Sequence, residues 1–98
     1  MSRTIIRVIV TGRVQGVAFR DFVQRRACER NVAGWVRNRR DGSVEAVFAG
    51  HPESVAEMVA ACRQGPPAAR VMGVETAPGT TELLKLGLEA GFSVLPTA

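Results

Sequence analysis

The sequence has no apolar run near the roughly 20 residues needed to cross a bilayer, and Arg7 interrupts the only apolar stretch close to the N-terminus. On this reading a membrane span and a secretory leader are both excluded. Cysteine is scarce: Cys28 and Cys62 are too few for a disulfide scaffold and do not have a metal-ligand spacing. A reducing, cytoplasmic compartment is therefore expected, with Cys62 buried on an apolar helical face and Cys28 more exposed. The one histidine, His51, has no second histidine to join it and precedes Pro52, so it is read as a helix-entry residue rather than a metal ligand. No low-complexity tract, internal linker or repeat is present. At 98 residues the chain is too short for two cores, so residues 1–98 are read as one domain.

What is present is an ordinary globular composition, 46% hydrophobic and 22% charged. The charge is lopsided. Residues 1–40 hold ten arginines against Asp21 and Glu29, a balance of +8; residues 41–98 hold Arg63, Arg70 and Lys85 against seven acids, a balance of −4. A basic half favours an anionic partner, either a phosphate compound or nucleic acid, although a solvated arginine-rich surface has the same composition.

From Thr4 to Thr11 the residues alternate, with Ile6, Val8 and Val10 on one apolar face, which predicts a strand. Gly12 to Val17 carries two glycines and is read as a loop. A helix follows, with Phe19, Phe22, Val23 and Ala27 at helical spacing and Asn31 as a left-handed cap. Trp35 to Arg39 and Val44 to Ala49 form a hairpin around the turn Arg40-Asp41-Gly42. Pro52 opens a second helix with Val55, Met58, Val59 and Cys62 on one face, and Gly65-Pro66-Pro67 ends it. Arg70 to Glu75 is a fourth strand, broken by Ala77-Pro78-Gly79. From Thr80 to Ala90 the leucines at 83, 84, 86 and 88 suit neither period, so this segment is irregular or a short element. Phe92 to Leu95 is a final short strand. The order β, α, β, β, α, β predicts an α+β, ferredoxin-like βαββαβ sandwich: an antiparallel sheet with two helices on one face, plus a short C-terminal strand.

The loop from Gly12 to Phe19 enters a helix N-terminus, where unpaired N–H groups and the helix dipole favour an anion. Glycines 12 and 16 allow successive N–H groups to point inward as a nest, and Arg20 adds a fork of donors suited to phosphate oxygens. Neither a nucleotide P-loop nor the dinucleotide Gly-x-Gly-x-x-Gly spacing is present. Taken alone, the loop fits mere connection as well as an anion cradle. Arg20 fits a solvated helix residue, and Asn38 an ordinary strand end beside a turn.

Longer motifs separate these alternatives. The run Gly12-Arg13-Val14-Gln15-Gly16-Val17-Ala18-Phe19-Arg20, followed by Gly34-Trp35-Val36-Arg37-Asn38, then Asp41-Gly42-Ser43-Val44-Glu45 and Gly65-Pro66-Pro67-Ala68-Ala69-Arg70-Val71, closely resembles the acylphosphatase family. These segments cover most of residues 5–75 in family order. The resemblance implies a hydrolase of small acyl phosphates that uses no metal and no cofactor and produces a carboxylate and inorganic phosphate. It implies that the backbone N–H groups of Gln15, Gly16, Val17, Ala18 and Phe19, with the Arg20 guanidinium, hold the phosphoryl group. It further implies that Asn38 positions the attacking water. The expected partner is the small-molecule acyl phosphate alone, with no nucleic acid and no membrane, and the chain acting as a monomer. Asn31 stands where the family often has glycine, and the tail from Gly91 to Ala98 lacks the polar, basic or aromatic residues common at that end.

Two rival readings stay open at this level. One is a module that binds nucleic acid or a phosphorylated ligand without turnover. An RNA-recognition version would place stacking aromatics on the central strands, whereas strand one has none and strand three only Phe48. The other is a regulatory or delivery part of a larger assembly that uses carbamoyl phosphate.

Overall fold

In a computed structural model that describes residues 3–87 and 91–98, the chain forms β1 (Thr4–Arg13), α1 (Phe19–Glu29), β2 (Ala33–Asn38), β3 (Val44–Gly50), α2 (Pro52–Gln64), β4 (Arg70–Pro78), a short α3 (Thr81–Leu84) and β5 (Phe92–Val94). The strands make one sheet in the order β4-β1-β3-β2-β5. The first four are antiparallel to their neighbours, and β5 joins β2 in parallel. Helices α1 and α2 lie on one face. This is the ferredoxin-like sandwich anticipated from the element order, with the extra strand making the sheet mixed rather than wholly antiparallel.

The period-two pattern of the strands decides which face the helices cover. Val8 and Val10 of β1, Val36 of β2, and Val44, Ala46 and Phe48 of β3 meet Phe19, Phe22, Val23 and Ala27 of α1 and Val55, Met58 and Cys62 of α2. Each large apolar side chain sequestered here contributes about 1.5–3 kcal/mol. Burial also pushes the Cys62 thiol up to about 12, so it packs rather than reacts; Cys28 is exposed. Helix α1 ends as anticipated: Asn31 takes φ 55°, its N–H donates to the Cys28 carbonyl, and the Val32 N–H donates to the Ala27 carbonyl at 2.9 Å. Helix α2 starts at Pro52 with His51 as its cap, the Nδ1 accepting from the Glu53 N–H at 3.4 Å.

The structure shifts several predicted limits by a residue or two, with β2 starting at Ala33 rather than Trp35, and corrects them more substantially in three places. Gly12 and Arg13 belong to β1 rather than to the loop, because a bulge between Thr11 and Gly12 lets pairing continue to Arg13 opposite Arg70. Gly12 sits there at φ 119°, where a Cβ would run into the Arg70 carbonyl. Strand β4 continues through Ala77 to Pro78, tolerating proline because it lies at the sheet edge and needs no outward N–H. The unsettled leucine segment contains α3, whose N-cap Thr80 accepts from the Leu83 N–H at 3.0 Å; the Leu88 to Ala90 part of that segment lies outside the described residues.

The sheet's second face is also built up. Trp35, Val47 and Leu95 form a smaller cluster with Ile5, Leu83 and Leu84, and the Trp35 indole N–H donates to the Leu83 carbonyl at 2.9 Å. Beside it Glu45, 2% exposed, accepts from Arg7 at 2.7 Å and from Arg37 at 2.8 Å. Burial alone would raise the Glu45 carboxyl, but the hydrogen bonds and charges of the two arginines outweigh it and hold the group below its ordinary value. Its contribution to stability is therefore complete above the ordinary glutamate range and is lost as pH falls through the lowered folded value. Glu45→Gln should lower the unfolding free energy at pH 7 by about 2 kcal/mol, less than for a fully buried pair, because the Arg7 side chain is 34% exposed. Urea unfolding at pH 7 and again near pH 3 checks this: the gap between parent and variant should narrow in acid. A gap that widens there would contradict the assigned coupling.

Candidate active site

The chain leaves β1 after Arg13 and enters α1 through residues 14–18. Val14 and Val17 anchor this loop by burying their side chains in the main core, which leaves its backbone to face outward. Gly16 takes φ 73° and Ala18 takes φ 64°. For alanine that left-handed conformation is strained by about 1 kcal/mol or more. Ala18 is also the N-cap of α1 and makes no side-chain cap hydrogen bond. Ala is among the poorest residues for that position.

As a result, among the described residues, none of the N–H groups from Gln15 through Asp21 donates to a backbone carbonyl or to a side chain; the Phe22 N–H is the first to find one, the Ala18 carbonyl at 3.1 Å. A helix start with a strained alanine cap and a run of free donors is a weak terminus but a strong anion site.

Beside this run of donors lies a cleft of about 350 Å³ lined by residues that include Gly16, Ala18, Phe19, Arg20 and Asn38. Several of the other arginines have partners. Arg7 and Arg37 hold Glu45, Arg25 pairs with Asp21 at 3.2 Å, Arg30 reaches Glu29 and Glu57, and Arg26 lies 4.9 Å over the Phe22 ring. Arg20, half-buried, has no carboxylate partner among the described residues and lines the cleft. Asp21 also lines it, but its carboxylate is engaged by Arg25 one turn on. Five of the ten N-terminal arginines are thus paired or stacked elsewhere, and Arg20 is the arginine that lines the cleft.

Asn38 comes from the far side, at the last position of β2, opposite Val44. Its Oδ1 is buried and has no hydrogen-bond donor among the described residues. An unpartnered buried amide oxygen is costly, about 1–3 kcal/mol. At the wall of a polar cleft it is an acceptor poised for a donor that is not part of the chain.

Of the residues singled out from the sequence, Gly16, Ala18, Phe19, Arg20 and Asn38 therefore meet at one cleft. Gln15 and Val17 do not line it. The Val17 side chain is in the core, and the Gln15 carboxamide nitrogen donates to the Arg39 carbonyl at 2.7 Å and to the Ser43 carbonyl at 2.9 Å. Only their N–H groups are available to an anion.

Val14, Gln24 and Val94 complete the lining and were not among the anticipated site residues. Gln24 follows Arg20 by one helical turn, a spacing that puts both on one side of α1, and its amide nitrogen donates to the Phe92 carbonyl at 3.3 Å. Val94 has no local signal, because it reaches the cleft only through the pairing of β5 with β2. It is 40% exposed.

Among the described residues no group of three His, Cys, Asp or Glu side chains is arranged to hold a metal. The cleft offers backbone amides, the Arg20 guanidinium and the carboxamides of Asn38 and Gln24, with the Asp21 carboxylate held by Arg25. Such a set can bind a tetrahedral oxyanion and steady a neutral molecule beside it.

Comparison with known proteins points the same way. The sequence matches the family model described as Acylphosphatase over residues 6–92. It is 57% identical over 99 aligned residues to an acylphosphatase of Bradyrhizobium diazoefficiens, with 99% of each chain covered. Among solved structures it is similar to an acylphosphatase from Coxiella burnetii, with a TM-score of 0.84 at 34% identity over 95% of this chain and 93% of that one. It is also similar to the acylphosphatase from Bacillus subtilis, with a TM-score of 0.82 at 38% identity over 93% of this chain and 97% of that one.

Proposed function

Since the chain belongs to the acylphosphatase family, a family of hydrolases acting on acyl phosphates, we propose that the free N–H groups of Gln15 to Phe19 and the Arg20 guanidinium hold the substrate's phosphoryl group while Asn38 orients the attacking water. The observation that carries this reading is the meeting, in one cleft, of an uncapped helix start, an unpaired arginine and an amide oxygen without a donor.

In this mechanism the Asn38 Oδ1 accepts a hydrogen bond from water and holds it in line with the bond from phosphorus to the acyl oxygen. The water oxygen forms a bond to phosphorus, the phosphorus–acyl oxygen bond breaks, and its electron pair leaves on the carboxylate. The proton lost by water goes to an oxygen of the transferring phosphate. A carboxylate of pKa about 4 leaves without protonation, so no general acid is required. The phosphoryl charge spreads over its oxygens in the transition state, where the N–H groups and Arg20 already point.

On this reading the enzyme is a monomer comprising residues 1–98 as a single domain and acting on a small-molecule acyl phosphate. Among the described residues no helix is long and apolar enough to cross a membrane. The unpaired Cys28 and Cys62 suit the cytoplasm.

The test is release of inorganic phosphate from benzoyl phosphate in the presence of a chelator, with an alkyl phosphate monoester as control. Rapid hydrolysis of the acyl phosphate alone, at the same rate with and without chelator, is expected. An equal rate on the alkyl ester would show that leaving-group chemistry does not select the substrate. Loss of the rate in chelator would sink the metal-free mechanism.

A further inference from the structure

The Gln15 carboxamide is the one side chain of the phosphate loop that turns away from both the core and the cleft. Its Nε2 donates across to the Arg39 carbonyl at 2.7 Å and to the Ser43 carbonyl at 2.9 Å. Those two carbonyls flank the neck of the β2–β3 hairpin. The Ser43 carbonyl also accepts from the Arg39 N–H at 2.9 Å, and the Arg39 carbonyl also accepts from the Gly42 N–H at 3.1 Å. Gln15 thus uses both of its amide hydrogens to close a neck that begins at the residue after Asn38.

From this geometry we propose that Gln15 is a positioning residue, whose carboxamide locks the β2–β3 neck to the phosphate loop and thereby fixes Asn38 relative to a phosphoryl group held by that loop. The inference rests on the water-orienting role of Asn38 proposed above. The physical reason for such a lock is that donors and water holder lie on different elements. The N–H groups belong to the entry of α1, and Asn38 to the end of β2. A displacement of about 1 Å between reacting groups costs on the order of 10²-fold in rate. One residue, with its N–H among the free donors and its side chain on the opposite neck, removes that freedom. The two bonds need two hydrogens on one neutral nitrogen at that reach, which glutamine supplies and methionine or glutamate does not.

Gln15→Met keeps the length and removes both hydrogens. In the full chain acting on benzoyl phosphate, kcat should fall about 10- to 100-fold, while the inhibition constant of inorganic phosphate should change by less than about twofold, because the backbone N–H groups and Arg20 remain. Introduced into Asn38→Ala, the same substitution should lower kcat by no more than about twofold, since the group through which it acts is already gone. Circular dichroism melting establishes that each variant folds. Gln15→Glu, which keeps the shape but has no donor at neutral pH, replaces Gln15→Met if the latter does not.

Parent-like kcat in a folded Gln15 variant would overturn the lock. So would an equal loss of phosphate inhibition and kcat, which would place the effect in the cradle. An undiminished loss in the Asn38→Ala background would overturn it as well. Parent-like turnover in Asn38→Ala itself is distinguishable from these results: it would remove the water-orienting role first, and the lock with it.

Discussion

Arg20→Ala should weaken inorganic phosphate as a competitive inhibitor by roughly 10- to 100-fold, the cost of losing charge-assisted hydrogen bonds, and should lower kcat/KM for benzoyl phosphate further, by about 10³-fold. The difference between the two numbers is the informative part. Inorganic phosphate resembles the ground state, whereas the transferring phosphoryl group spreads more charge onto the oxygens that the guanidinium faces, so the loss is larger in the transition state. Arg20→Lys should recover only part of it. An ammonium restores the charge but not the planar fork, and the free N–H groups around it are arranged for an anion held on several sides. Phosphate inhibition and steady-state kinetics on the three proteins suffice to decide this. If Arg20→Ala bound phosphate and turned over as the parent does, Arg20 would be one more solvated arginine, and the anion would have to be held by the backbone alone.

That alternative was a fair one at the level of sequence, where Arg20 is one of ten arginines in the first forty residues. The structure separates it from the others by placing it on the cleft, while several of the others are paired elsewhere. Arg7 and Arg37 share Glu45, Arg25 is on Asp21, and Arg30 is on Glu29 and Glu57. What remains in the cleft is a guanidinium without a counter-charge beside a helix start without a cap. Of those ion pairs only Asp21 with Arg25 and the adjacent Glu29 with Arg30 are local in sequence. Glu45, for example, finds its arginines on two different neighbouring strands.

The same division between local and distant signals runs through the fold. Both long helices, their caps at Asn31 and His51, and the hairpin around Asp41 and Gly42 rest on contacts between residues close in sequence, and they were legible. Asp41 itself accepts from the Ser43 N–H and hydroxyl, the short-range bonding that makes this residue a turn former.

What was not legible depends on partners distant in the chain. Arg13 continues β1 because Arg70 lies opposite. Pro78 can end a strand because, among the described residues, no further strand lies outside β4. Val94 reaches the cleft because β5 adds to β2 in parallel. At the site, the glycine-containing loop and the helix entry fitted a plain connection as well as an anion cradle, and Arg20 and Asn38 were singled out by what the family resemblance implies. The Gln15 side chain was not readable as a tie to the hairpin neck, because nothing in its own neighbourhood points to Arg39 or Ser43.

Asn38→Ala is expected to separate binding from chemistry. Turnover of benzoyl phosphate should drop about 10²- to 10³-fold, the usual cost of removing one preorganised group that acts in the transition state, while inhibition by inorganic phosphate stays within about twofold of the parent because the N–H groups and Arg20 are untouched. Stability provides a second, independent sign. Among the described residues no group of the chain donates to the Asn38 Oδ1, so its removal breaks no hydrogen bond that the fold makes for itself. The variant should therefore melt close to the parent, which is the pattern of a group retained for work rather than for folding. Asn38→Asp sharpens the contrast. It keeps the size and an acceptor oxygen but adds a negative charge at the cleft wall, so phosphate binding should weaken as well as turnover. Calorimetry and phosphate inhibition on the two variants read these effects separately. A lower melting temperature together with weaker phosphate binding in Asn38→Ala would mean that Asn38 supports the cleft's architecture, and the water would then have to be oriented by some other group.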